Sequence, residues 1–264
     1  MKIHLLTLIG PPIITLDPFF RHYSELGVSN FLVYVHEKNG EPSILEQVTR
    51  IARPYSGVSI RPIAGDWLTV QFSILEKMQD HPDQWFLIAD QDEFQLYPRD
   101  LAEILADADR REFDIINGCL VDRVAEDGSL RPFDPSEPIW TQYPIGAFLT
   151  FPVCGANFRK VVAAKGRVRL TNAGHHEAEG GSPYPTAEML VEVHHFKWIA
   201  GLIEYLLART SPESPFGDMV QQEGLRFVDY FRSNDNRIAL EDPALMAGPC
   251  HPHFSNWESV RIFY

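Results

Sequence analysis

The 264-residue sequence is short of positive charge: 23 Lys and Arg stand against 36 Asp and Glu, a formal net charge of −13. That balance argues against non-specific nucleic-acid binding, which needs many cations to replace phosphate counterions. Cysteine is scarce too. Cys119, Cys154 and Cys250 are odd in number, far apart and without a Cys-x-x-Cys, so neither a disulfide framework nor a cysteine zinc site is expected, and a reducing cytoplasm suits the chain. Long apolar runs are missing. The run within Met1–Gly10 is too short to cross a bilayer and lacks a small-residue cleavage site, so it reads as a first strand and no transmembrane segment is expected. No G-x-G-x-x-G follows that strand, and neither G-x-x-x-x-G-K-[ST] nor G-x-S-x-G occurs, which disfavours a dinucleotide oxidoreductase, a P-loop kinase and the common α/β hydrolase.

What is present is a chain 45% hydrophobic, large enough to bury a full core. Strand candidates at Ile3–Ile9, Phe31–Val35, Val58–Ile63 and Trp85–Ala89 alternate with helical patterns after Asp17-Pro18, over Pro42–Ala52 and from a cap at Asp66 through Met78. This alternation predicts a doubly wound α/β unit with a mostly parallel sheet and right-handed crossovers. Pro98–Ala108 reads as a further helix and Phe113–Asn117 as a strand; residues 122–145 lose periodicity and read as a long loop. Phe148–Val153, Phe158–Ala163 and Arg167–Leu170 are expected as short strands, Asn172–Gly181 as a polar loop, and Met189–Trp198 as a strand. Helices are expected over Ile199–Arg209 and about Asp218–Phe231, before an irregular tail with His251, His253 and Trp257.

The stretch that carries chemistry is Asp83-Gln-Trp-Phe-Leu-Ile-Ala-Asp90-Gln-Asp92-Glu93-Phe94, where an apolar strand ends in three carboxylates within four residues. Strand ends are where open α/β sheets build ligand sites. Asp90 and Asp92, one residue apart, can project to the same side and suit a hard divalent ion, Mg²⁺ or Mn²⁺, which shares its shell with water and substrate phosphate. A solvated acidic loop, with Asp90 capping the next turn, is the plainer alternative. Late in the chain, adjacent residues of a strand face opposite sides, so at most one of His194 and His195 can point at a given ligand; a lone strand histidine is more often structural.

Taken in order, the first strand, the helix Phe19-Phe-Arg-His-Tyr-Ser-Glu-Leu-Gly27-Val, the strand ending Asp90-Gln91-Asp92-Glu93-Phe94 and the later His194-His195-Phe196 resemble family-2-like glycosyltransferases of the GT-A fold, in particular a bacterial branch with an Asp-x-Asp-Glu-Phe motif. The resemblance implies a GT-A-like, Rossmann-type central sheet with helices on both faces. It extends over about residues 1–210, with 211–264 as a helical or irregular C-terminal extension. It also implies a nucleoside-diphosphate sugar donor, a Mn²⁺ or Mg²⁺ ion held by Asp90 and Asp92, and His195 as the late histidine that completes the metal or diphosphate site. Gly155-Ala-Asn157-Phe-Arg-Lys160 is similar to a Gly-x-Asn-x-x-Lys stretch of the family, and Gly174-His175-His176 to its Gly-His-His loop.

Lys160 and Lys197 are then the nearest cations for the diphosphate. Where relatives carry Asn-Glu after the first strand this chain has Gly10-Pro11-Pro12, so Asp66-Trp67 stands as the substitute for base and ribose contacts, with Asp90 a further ribose candidate. An inverting transfer also needs a group to take the acceptor proton, for which Glu177, Glu179 and His176 are candidates. The acceptor, a glycan or small molecule, is left open. The competing readings are a metal-dependent hydrolase using the same acids and histidines, and a nucleotide-sugar-binding protein of the same fold without catalysis.

Overall fold

The structure, a computed structural model, describes residues 2–37, 42–172, 174–210 and 218–250, except for the side chains of residues 42, 43 and 219. His251, His253 and Trp257 lie outside the described residues. The chain opens with β1 (His4–Ile9), α1 (Leu16–Glu25), β2 (Asn30–His36), α2 (Pro42–Ala52), β3 (Val58–Ile63), α3 (Trp67–Glu76) and β4 (Trp85–Ile88). It continues with β5 (Glu93–Leu96), α4 (Leu101–Arg110), β6 (Ile115–Val124), α5 (Ile139–Gln142), β7 (Ile145–Ala147), α6 (Thr150–Cys154) and β8 (Arg159–Lys165). The rest comprises β9 (Arg169–Leu170), β10 (Ala178–Glu179), β11 (Val191–His195), α7 (Leu202–Arg209), α8 (Asp218–Ser233) and β12 (Gly248–Pro249). Two compact units result, 2–119 with 159–193 and 120–158 with 194–250.

In the first unit β3, β2, β1 and β4 lie side by side, all parallel, with Leu5 opposite both Phe31 and Leu87. β8 runs antiparallel to β4, and Ile115–Cys119 of β6 runs antiparallel to β8. Side chains alternate along each strand, so Leu6, Leu8, Phe86 and Ile88 share one face and are buried against Val70, Ile74 and Leu75 of α3. The other face presents Phe31 to Phe20 of α1, with ring centroids 5.7 Å apart and edge to face. Burying each such ring is worth roughly 1.5–3 kcal/mol. The fold is thus α/β, with a mostly parallel central sheet and helices on both faces. The cap on α3 is the one the sequence predicts, Asp66 accepting from the Thr69 N–H at 3.1 Å, while α4, expected from Pro98, starts at Leu101 behind Asp100, which accepts from the Glu103 N–H at 3.0 Å.

In the second unit Asp122–Val124 of β6 pairs antiparallel with β7, which pairs antiparallel with β12. α7 and α8 close over a core of Val124, Leu149, Trp198, Leu206, Phe227 and Phe231.

Three expectations are corrected. β6 runs on to Val124 instead of ending at Asn117, which takes the start of the expected loop at 122–145 into the sheet. Phe148–Val153 is not a strand: α6 occupies Thr150–Cys154, because Pro152 has no N–H to give a ladder and Gly155, at φ +70°, ends a helical turn. The acid stretch does not open a plain loop either, since β5 begins at Glu93 itself.

Candidate functional site

The acids sit in a tight turn between β4 and β5. Glu93 N–H donates to the Asp90 carbonyl at 3.0 Å, while the Asp90 N–H reaches the Glu93 carboxylate at 3.4 Å, so the turn closes on itself at both ends. β5 is polar yet fixed in place. Gln95 is fully buried and donates to the Ile88 carbonyl at 2.8 Å, and Tyr23 of α1 donates its hydroxyl to the Glu93 carbonyl at 2.9 Å. Glu93 is thereby carried inward, its side chain 4% exposed, whereas Asp90 keeps 33%.

Lys160, on β8, meets this turn from within. Its ammonium, 4% exposed, lies 2.7 Å from Glu93 Oε1 and 3.5 Å from Asp90 Oδ2, and donates to the Gly174 carbonyl at 2.7 Å. Burial alone would lower its pKa, but Glu93 and Asp90 outweigh burial and hold it above the usual lysine value. Its three protons are directed at groups of this cluster, so as placed Lys160 balances the acids. Asp92 acts on the same ammonium, so three carboxylates act on this one lysine.

His175 borders the cluster in the left-handed region, at φ +58°, which a non-glycine residue adopts only where its surroundings hold it there. It is 4% exposed, and its Nδ1 has no hydrogen-bond partner among the described residues. Burial lowers its pKa to about 3, with Asp90 restoring part of the loss and Lys160 adding to it. The unfolded ring titrates near 6.5, so the unfolded chain binds the extra proton between these values. Stability of the metal-free protein should therefore fall as pH drops from about 6.5 toward 3. His175→Asn, which tolerates the same backbone, is expected to flatten this loss in urea titrations at pH 7 and pH 4.5; an equal loss in both proteins would show that His175 does not drive it.

Beside the acids, the parallel strands end in a second cluster. A Cβ on Gly10 would come within 2.9 Å of the Trp67 ring, so this glycine lets the indole lie against the backbone. His36 meets Trp67 edge to face at 5.2 Å and donates Nε2–H to the Gly65 carbonyl at 2.8 Å. Gln91, between the two aspartates, donates to the Gly10 carbonyl at 2.8 Å and to that of Pro12, and its own carbonyl accepts from the Thr15 hydroxyl at 3.0 Å. Gln91 thus staples the Gly10-Pro11-Pro12 loop to the acid turn. Asp66 is exposed next to Trp67 with one carboxylate oxygen occupied by its helix cap.

The candidate proton acceptors flank β8 and β9. His176 is partly exposed and its Nδ1 contacts the Arg159 carbonyl. A carbonyl can only accept, so Nδ1 carries a hydrogen. Glu177 and Glu179 are exposed, and Glu179 pairs with Arg169 at 2.5 Å. Lys197 belongs to the second unit, over the rings of Trp198 and Phe227 at 5.6 and 5.5 Å.

His195 is also a residue of the second unit, where its Nδ1 lies 3.0 Å from Asp122 Oδ1. Asp122 is buried and also accepts from Trp198 Nε1 at 2.7 Å and from the Leu149 N–H at 2.8 Å, ahead of α6. Asp122 escaped the sequence reading, although a lone acid inside the apolar run Cys119-Leu-Val-Asp122 is a signal that it must find partners.

No group of three or more His, Cys, Asp or Glu side chains among the described residues is gathered closely enough to hold a metal ion by itself. The acid turn nevertheless fits a hard divalent ion in its chemistry: oxygen donors on two part-exposed aspartates. Such ions commonly bind through one or two carboxylates and complete their shell with phosphate and water.

No protein-family model matches the chain, and no curated protein sequence does. Among solved structures, HddC from Yersinia pseudotuberculosis is similar at 14% identity and a TM-score of 0.33, over 52% of this chain and 66% of that one. S. aureus TarS 1-349 is similar at 10% identity and 0.35, over 92% and 76%. The inositol-1-phosphate CTP transferase from T. maritima is similar at 12% and 0.28, over 87% and 82%. At these scores any statement of function has to stand on the chain's own chemistry. No described helix is long and apolar enough to cross a membrane.

Proposed function

We propose that the protein is a metal-dependent glycosyltransferase that moves a sugar from a nucleoside-diphosphate sugar to an acceptor hydroxyl. The observation that carries this reading is the acid turn at the end of β4: two part-exposed aspartates backed by a buried Glu93–Lys160 pair. It lies where open α/β sheets bind ligands, beyond the carboxyl ends of parallel strands.

In this reading Asp90 and Asp92 hold Mn²⁺ or Mg²⁺, and Lys160 fixes Asp90 in place. When bound, the ion offsets the negative charge that grows on the departing diphosphate. The Trp67 face, flanked by His36 and Asp66, takes the base and ribose in place of the Asn-Glu pair of relatives. The acceptor oxygen attacks the anomeric carbon as its bond to the diphosphate breaks, inverting the configuration, and the acceptor proton passes to the His176 imidazole. Glu177, exposed beside it, is the second candidate for that proton. In the second unit His195, whose Nδ1 lies against Asp122, and Lys197 are candidates for a phosphate.

The test is a thermal-shift screen of nucleoside diphosphates and their sugars, with and without Mn²⁺. One nucleotide class should stabilise the protein only when Mn²⁺ is present, by about 2.7 kcal/mol at a hundredfold excess over Kd. No stabilisation by any nucleotide would rule the donor class out.

A further inference from the structure

The sheet of the first unit ends at β3, and the backbone of that strand is only half used. The Phe31 N–H donates to the Gly57 carbonyl and the Glu37 N–H to the Ile63 carbonyl, so Gly57, Ser59, Arg61 and Ile63 turn their peptide groups toward β2. Peptide groups alternate sides along a strand, which turns those of Val58 and Ile60 outward. Among the described residues no other strand pairs with β3, and these outward groups have no partner. Pro62 faces the same way but has no N–H to offer, so the usable edge is short.

The same two residues form one wall of a groove, and α2 forms the other. It encloses about 800 Å³, with apolar surface from Leu45, Val58 and Ile60, each partly exposed. Arg50, Arg53 and Glu46 stand exposed at its margin. Among the described residues the two guanidinium groups make no ion pair or hydrogen bond. In a chain of net charge −13 this is a local excess of positive charge. β2 and β3 are parallel, so the helix joining them runs the other way. Arg50 and Arg53, in and just after its last turn, therefore lie toward Val58, and Leu45, in its first turn, toward Ile60.

We infer that this edge binds an extended peptide of a partner protein by strand addition, with an apolar side chain over Leu45 and Ile60 and an Asp or Glu two residues along at Arg50 and Arg53. The spacing agrees: side chains on one face of an added strand are about 6.7 Å apart, and Leu45 and Arg50 are about 7.5 Å apart along the α2 axis. Main-chain bonds to Val58 and Ile60 supply affinity, and the groove selects the sequence. A second copy of the chain suits the edge less well, because a twofold pairing of β3 with β3 would set Arg50 and Arg53 against their own counterparts. The inference is independent of the glycosyl-transfer reading.

The probe is a short fluorescein-labelled peptide in which leucine and aspartate are separated by one threonine, made in both orders and titrated with the full-length protein by anisotropy. One order should bind, and lysine in place of its aspartate should abolish binding. Two versions of that peptide, N-methylated on alternate sets of amides, should differ: the set that faces β3 loses binding and the other keeps it. Arg50→Glu should weaken binding about tenfold, since losing an exposed pair accounts for up to about fivefold and the new repulsion adds to it. Arg61→Glu makes the same change of charge on the face of β3 turned away from the groove, and should bind as the parent does.

Binding of neither order would overturn the inference, and dimers in sedimentation equilibrium would then assign the edge to a second copy. Equal binding of the two N-methylated peptides would overturn it as well, in a measurement that needs no variant to fold. So would equal losses in Arg50→Glu and Arg61→Glu, which would reduce the effect to net charge. Peptide binding by a protein that binds no nucleotide would uphold it and count against the donor reading alone.

Discussion

Replacing Asp92 with alanine is expected to abolish the Mn²⁺-dependent stabilisation by nucleotide altogether while leaving the fold intact. Asp92 follows β4 by four residues, is part-exposed, and acts on the Lys160 ammonium from outside the buried pair. Its loss takes away one of the two aspartate carboxylates proposed to hold the ion. The remaining Asp90 already shares an oxygen with Lys160 at 3.5 Å. A hard cation facing one shared carboxylate has little reason to leave water. The measurement is the melting temperature with nucleotide and Mn²⁺, compared with Mn²⁺ alone. An Asp92→Ala protein that kept the full nucleotide-dependent shift would remove Asp92 from the site.

The second large effect concerns stability. Lys160→Met should destabilise the protein by about 3–5 kcal/mol, the range found when one partner of a buried ion pair is removed. Lys160 and Glu93 are each 4% exposed and 2.7 Å apart, so the variant takes the ammonium away from a buried carboxylate and from the Gly174 carbonyl. The loss should shrink as pH is lowered, because a protonated Glu93 no longer needs a cation. Glu93→Gln in the same background should recover part of the stability at neutral pH. Urea unfolding of the single and double variants measures this; a single-variant loss below about 1 kcal/mol would mean that water reaches the pair and that Lys160 is not the cluster's internal cation.

That pair also shows what a sequence can and cannot disclose. α2 and β3 have the bounds their apolar periodicity predicts, because Val48 and its neighbours repeat at helical spacing and the strand alternates between turns. The helix cap at Asp66 is a local rule acting over three residues, and it is visible in the string. The acid turn is legible for the same reason, since its aspartates are two apart on the end of an apolar strand.

What is illegible depends on partners distant in sequence. Glu93 cannot be assigned from its neighbours: its role comes from Lys160, 67 positions on. Asp122 and His195 are 73 residues apart, and nothing local marks the acid as the histidine's partner. β5 is hidden because its residues Glu93 and Gln95 are polar, buried and satisfied by Tyr23, Ile88 and Lys160 instead of forming an apolar run. α6 is hidden by its own composition, as Phe148–Val153 looks like a strand until Pro152, Gly155 and the Asp122 carboxylate ahead of its first turn are weighed together. The alternation of side chains along a strand did foretell that His194 and His195 face different surroundings; only the structure supplies the acid on one side and the guanidinium on the other.

The central claim is transfer of a sugar to something other than water. Its most direct test is release of nucleoside diphosphate from the nucleotide sugar that binds, measured with Mn²⁺ in the presence and absence of an acceptor panel of glycans and small alcohols. The account predicts slow release alone and a large increase with one acceptor class, with the sugar recovered on that acceptor by mass spectrometry. Fast release without any acceptor, with the sugar recovered free, would contradict it and identify a metal-dependent hydrolase.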